Sequence, residues 1–194
     1  MSTLPLPAPA PTRPRYWNRH VDSHGNWRID HASGAKMHTP GEELSDLRAG
    51  LGQTAFTVSQ LWPYYTTPTD GRVTPELEAE HAALALYGLH QQSQNRPMHR
   101  RGVSAGAALR ALRRSGRYSE AALDGHVAAT VQTTTVAALV YRLRGLITQL
   151  RSVEQPLDYD QLLTDIQRWD SPVVRNRVRR EWGLAYQVVE RGNR

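Results

Sequence analysis

The chain predicts an all-α fold, a compact bundle of about eight helices with room for two lobes. Apolar residues recur at helical spacing along most of its length, and helix-starting residues precede each such run. No segment alternates apolar and polar side chains as a half-buried strand does. At 194 residues the chain can bury one core but is too short for two full domains.

Residues 1–15, MSTLPLPAPAPTRPR, predict a disordered, polyproline-like tail. A polar segment over 16–38 holds Trp17 and Trp27 and has no readable structure. The helical, nucleic-acid-binding domain is expected over 39–191. It opens on Thr39, Pro40 and Glu42, a capping box with proline at the first helical position, backed by Leu44, Leu47 and Leu51. A short helix from about Phe56 passes through LWPYY and breaks at Pro63. Thr74 and Pro75 start the next, which turns Leu77, His81, Leu84 and Tyr87 inward and ends near Gln94. Ser104 caps a helix that opens at Ala105 and stops at Ser115 and Gly116, and Ser119 caps another short one. Val136, Leu139, Val140, Leu143, Leu146, Ile147 and Leu150 mark a buried helix, which Pro156 closes. Asp158 begins a helix through Leu162, Leu163, Ile166 and Trp169. Ser171 with Pro172 begins the last, which bears Val174, Val178, Trp182, Ala185 and Val189.

The net charge of +6 is unevenly placed. Between Arg96 and Arg151 ten arginines meet only Glu120 and Asp124, so the rest of the chain is slightly acidic. Of the 24 basic residues only Lys36 is lysine, and guanidinium forks suit phosphate because they donate two hydrogen bonds at once. Arg110, Arg113, Arg114 and Arg117 repeat at i, i+3, i+4, i+7, which on a helix draws one charged stripe. No carboxylate lies between Arg96 and Arg117 to relieve it, which favours an external polyanion over a merely solvated face. With no cysteine there is no disulfide and no thiolate metal site. The apolar runs are too short to span a bilayer, and the N-terminus lacks the pattern of a signal peptide. The expected location is cytoplasmic, with no membrane partner.

Catalytic and metal patterns are weak. Gly102-Val103-Ser104-Ala105-Gly106 matches the nucleophile elbow of serine hydrolases, but NRPMHRR before it is no strand, and a helix cap explains Ser104. His20, His24, His31 and His38 lack a clear fourth ligand and read as surface histidines. Glu76, Glu78 and Glu80 beside His81 suit the start of a helix for dipole reasons. Asp158 and Asp160 read as caps. Trp62, Tyr64 and Tyr65 could stack on bases but fit core or hinge positions better, and Trp169 and Trp182 sit on apolar faces. No catalytic residue, metal or cofactor is expected.

The motifs LWPYYTTP, AEHAALALYGLHQQSQ, MHRRGVSAGAAL, YRLRGLITQLR and LDYDQLLTDIQRWDSP, with VRREWGLAY after them, occur in that order between about Gly41 and Tyr186. In order and spacing they resemble the CasB family, the small subunit of the type I-E CRISPR surveillance complex called Cascade. The resemblance implies a helical, non-enzymatic protein that works as two copies beside the backbone and large subunits. Its basic face would hold the target and displaced DNA strands of the R-loop and brace the guide RNA. By position it carries basic surface roles to Arg48, Arg101, Arg110 and Arg144. Together with the charge pattern, the expected nucleic-acid-binding set is Arg48, Arg100, Arg101, Arg110, Arg113, Arg114, Arg142 and Arg144. Residues 1–37 lie largely outside the resemblance. The alternatives are a free-standing helical DNA-binding regulator reading with residues 105–114, or an assembly subunit whose arginines meet acidic proteins.

Overall fold

The computed structural model describes residues 13–187. The expectations for residues 1–12 and Val189 lie outside these. The described chain forms α1 (Tyr16–His20), α2 (Gly41–Ala49), a 3-10 helix (Ser59–Tyr64), α3 (Pro75–Gln91), α4 (Ala105–Arg114), α5 (Glu120–Val131), α6 (Val136–Ser152), α7 (Tyr159–Gln167) and α8 (Pro172–Gln187). Only isolated β-bridges accompany them, so the fold is an all-α bundle.

Helix α3 is the hub. Thr74 Oγ1 accepts the Leu77 N–H at 3.2 Å and Pro75 fills the first turn, as the sequence predicts. Alanines 79, 82, 83 and 85 leave space around a helix that is buried on nearly every side, and α2, α6 and α7 pack against it. A Cβ at Gly88 would lie 2.7 Å from Leu47 Cβ, so glycine lets α2 seat closely. A second group joins α4, α5 and α8, and α6 touches both groups. Leu139, Leu143, Leu146, Ile147 and Leu150 of α6 belong to one buried cluster that runs from Tyr16 to Tyr186. Trp169 and Trp182 are core residues with rings 5.7 Å apart.

Several expectations need correction. Thr39 does not cap α2: Pro40 occupies the N-cap position and no side chain bonds there. The LWPYY segment is a 3-10 helix that contains Pro63 rather than an α-helix broken by it. Helix α3 stops at Gln91 because that side chain serves the following loop: Oε1 accepts the Met98 N–H at 2.8 Å and Nε2 donates to the Arg96 carbonyl at 2.9 Å. Ser119 precedes α5, yet its hydroxyl makes no cap bond.

The polar segment is structured. Tyr16 and Trp17 are buried on α1, and antiparallel bridges pair Val21 with Trp27 and Ile29 with Lys36. The Trp17 ring packs on Tyr87 and Tyr159 while its Nε1–H donates to Asp160 at 2.8 Å. Arg15, assigned to the tail by composition, lies 2.7 Å from the fully buried Glu80 and also donates to Thr67 at 2.8 Å. Glu80 is therefore a buried charge rather than a first-turn dipole residue. Burial pushes its carboxyl upward, but hydrogen bonds from Thr66, Arg15 and Thr67 outweigh that and hold it below the usual range.

Candidate nucleic-acid interface

Helix α4 is set by its flanks. Gly102 takes φ of 79° and donates its N–H to Asp158 Oδ2 at 2.8 Å, and Ser104 Oγ accepts the Ala107 N–H at 3.3 Å. A Cβ at Gly106 would run into the Trp182 carbonyl oxygen and lie 2.9 Å from Ala185 Cβ. The GVSAG pattern is thus a turn, a cap and a close helix crossing, and no strand precedes its serine.

The arginine stripe is shorter than the sequence suggests. Helix α4 ends at Arg114, and Gly116 at φ of 65° turns the chain, so Arg117 leaves the helix. Relief for the stripe comes from the next helix. Arg113 Nη2 lies 2.9 Å from Glu120, its Nε lies 3.2 Å from Asp124, and its guanidinium sits over the Tyr186 ring. Tyr186 in turn donates its hydroxyl proton to Asp124. Arg113 is a structural link between α4, α5 and α8, so the premise that no carboxylate answers the stripe fails at this residue.

The other expected residues divide by what holds them. Arg101 is half exposed, with Nε 3.6 Å from Asp160. Arg48 donates Nε–H to the Leu44 carbonyl of its own helix at 3.3 Å. Arg114 is exposed at the end of α4, while Arg110 is half-buried without an ion-pair partner among the described residues. Arg100, Arg142 and Arg144 are exposed and likewise have no ion-pair partner among the described residues. At about 100° per residue Arg142 and Arg144 stand on opposite flanks of α6, so one phosphate cannot bridge them.

Several exposed arginines escaped the sequence reading. Arg168, Arg177 and Arg180 lie on the α7–α8 side without ion-pair partners among the described residues. Arg175 and Arg179, which share α8 with Arg177 and Arg180, are structural and donate to the Thr134 and Thr133 carbonyls.

Of the four N-terminal histidines read as surface residues, His24, His31 and His38 are exposed and His20 is part-buried. His20 faces the Met37 carbonyl at 3.1 Å and His38 packs its ring on Trp27. Among the described residues His99, Asp158 and Asp160 bring ligand atoms within 4.8 Å of one another. They do not fit a metal. The Tyr159 N–H points at His99 Nδ1 at 3.1 Å, which fixes the neutral ring's proton on Nε2, toward Asp160 at 3.9 Å. Asp158 caps α7 through the N–H groups of Asp160 and Gln161. Asp160 is no cap, because it accepts from Trp17 and Asn18. Of the aromatics, Tyr64 and Tyr65 are tied to Asp46 and His81, and Trp62 stays half exposed against Phe56.

The family model for the CRISPR-associated protein Cse2 matches residues 43–186. CasB from Thermobifida fusca is 30% identical, with a TM-score of 0.63 over 76% of this chain and 85% of that one. A chain of a CRISPR RNA-guided surveillance complex shares the fold at 18% identity, with a TM-score of 0.55 over 76% of this chain and 82% of its own. No curated protein matches by sequence. The helical fold together with the family match defines a helical CRISPR-associated protein. More particularly, the chain belongs to the CasB/Cse2 family, the small subunits of type I-E CRISPR surveillance complexes. No helix among the described residues is long and apolar enough to cross a membrane.

Proposed function

We propose that the chain is a non-catalytic small subunit that grips nucleic acid by its backbone and steadies the R-loop of a Cascade complex. The observation that carries this is a set of arginines, Arg100, Arg110, Arg142 and Arg144, that have no carboxylate partner among the described residues of a Cse2-family fold. In RNA-guided recognition base pairing reads the sequence, so a subunit that touches only phosphates adds affinity without adding preference. Binding is expected to weaken steeply with salt and to vary little with sequence. The partners in this reading are the backbone and large subunits, the guide RNA, both strands of the target DNA and a second copy of the chain, all within the cytoplasm.

Native mass spectrometry of the chain co-expressed with the other subunits and a guide RNA tests the assignment. Incorporation as two copies is the expected result. Absence from an otherwise intact complex would move the weight to a free-standing DNA-binding protein, which would show sequence preference on its own.

A further inference from the structure

Residues 49–69 carry no charged side chain, and they present an aromatic pair to solvent. Trp62 is 54% exposed, whereas Trp17, Trp27, Trp169 and Trp182 are buried. Its ring is held in place: Nε1–H donates to the Phe56 carbonyl at 3.2 Å, and the Phe56 ring lies 6.4 Å away. Phe56 stacks in turn on Tyr65 at 4.7 Å, and the Tyr65 hydroxyl is anchored on His81 Nδ1 at 2.7 Å.

Phe56 takes φ of 66°, a left-handed conformation that a bulky residue adopts only under constraint. The constraint is aromatic. Its N–H donates to the Tyr65 hydroxyl oxygen at 3.2 Å while its carbonyl takes the Trp62 indole proton. Backbone strain of this kind gathers where a surface contacts a ligand.

The chemistry of the surface narrows its occupant. An uncharged surface with two exposed rings fits an uncharged segment, since no ion then loses its water. Proline-rich chain is a recurrent occupant of aromatic surfaces because it arrives already extended. Residues 1–12 supply such a segment: prolines stand at 5, 7, 9 and 11, and no side chain is charged. The described chain begins beside the rings. Arg13 donates to the Pro63 carbonyl at 3.3 Å, next to Trp62, and Arg15 donates to Thr66 at 3.0 Å. Pro11 is two residues before Arg13, about 7 Å of extended chain. Alternate residues of a polyproline helix recur every ~6.2 Å on adjacent edges, which matches the 6.4 Å between the rings.

We propose that the surface formed by Trp62 and Phe56 is a seat for the chain's own proline-rich segment, with Pro9 and Pro11 against the two rings. Tethering holds the segment at a high effective concentration, so contacts too weak to capture a free peptide still fill the seat. The proposal does not depend on the R-loop reading.

The full chain reports on the seat by its own fluorescence, because Trp62 is the tryptophan that acrylamide can reach. Pro9→Asp with Pro11→Asp should raise the quenching slope by at least about twofold. Adding Trp62→Phe to that variant should abolish the rise, which an unfolded chain with four accessible tryptophans would not do. A second measurement exploits the lack of cysteine. Ser59 is exposed one 3-10 turn from Trp62, so Ala10→Cys with Ser59→Cys brings two thiols together. Under mild oxidation this pair should close at least about tenfold faster than Ala10→Cys with Thr148→Cys, whose second thiol is exposed on α6.

Equal quenching slopes for wild type and the Asp variant would overturn the proposal, and equal closure rates for the two cysteine pairs would do the same. A slope or rate that changes with protein concentration would put a neighbouring copy's segment on the seat and overturn the assignment to the same chain.

Discussion

Neutralising Arg110 and Arg144 separates a phosphate-binding surface from a solvated one. Arg110→Gln with Arg144→Gln removes no ion pair among the described residues, and glutamine keeps helix propensity close to that of arginine. Stability should therefore stay within about 0.5 kcal/mol of wild type. If each side chain meets one phosphate, the slope of log K against log salt should fall by about 0.7 per contact on a single strand, or about 1.4 for the pair. Across a fourfold rise in salt, from about 50 to 200 mM, wild type should then lose roughly sevenfold more affinity than the double variant. Fluorescence anisotropy with a labelled single strand over that range gives both slopes. Parallel lines for the two proteins, with melting unchanged, would refute the assignment of phosphate contacts to these residues.

Charge reversal at the neighbouring arginine should behave differently. Arg113→Glu would set a third carboxylate beside Glu120 and Asp124 and lift the cation from Tyr186, so it should cost about 1–2 kcal/mol of stability; a urea midpoint equal to wild type would show that this cluster holds nothing together. Burial raises the Asp165 carboxyl to about 6, against a hydrogen bond from Trp182 at 2.7 Å that lowers it. The folded state therefore binds the proton more tightly than the unfolded one, and this group's contribution to stability falls as pH rises from about 4 to about 6. Asp165→Asn cannot titrate, so its stability relative to wild type should improve by about 2 kcal/mol between pH 4 and pH 7.5; an offset that does not change with pH in urea titrations would refute the raised pKa.

Periodicity made most of the bundle legible. Thr74 with Pro75, Ser104 and Asp158 start helices through side-chain caps, and the apolar stripe of α6 is buried as its spacing requires. These signals are local, and a linear reading recovers them. Trp17, Asn18 and Asp160 are separated by more than 140 residues, and so nothing near Trp17 announces its burial. Thr39 failed as a cap for the opposite reason, because a local pattern was present and Pro40 took the position. At the candidate interface, sequence found the arginines but not their partners. Arg113 reads like Arg110 until α5 folds back and supplies Glu120 and Asp124.

An almost lysine-free composition has two separable causes in this molecule. A guanidinium presents five donors in a plane and can tie several acceptors at once, which one ammonium does with less geometric control. Arg15 uses this to join Glu80, Glu76, Thr66 and Thr67, fixing the N-terminal segment on α3. Arg151 reaches the Leu89 carbonyl and Gln92, closing the end of α3 against α6. Arg175 spans the Thr134 and Trp169 carbonyls where α8 begins, and Arg179 stacks on Trp169 while it donates to Thr133. These arginines satisfy acceptors that the fold itself supplies, several of them carbonyls at helix ends, so arginine abundance alone does not signal nucleic acid. The signal lies in the remainder: arginines such as Arg110 and Arg144, which meet no carboxylate among the described residues, keep their capacity for phosphate. The Arg110 and Arg144 variants therefore probe binding, whereas Arg113 variants probe folding.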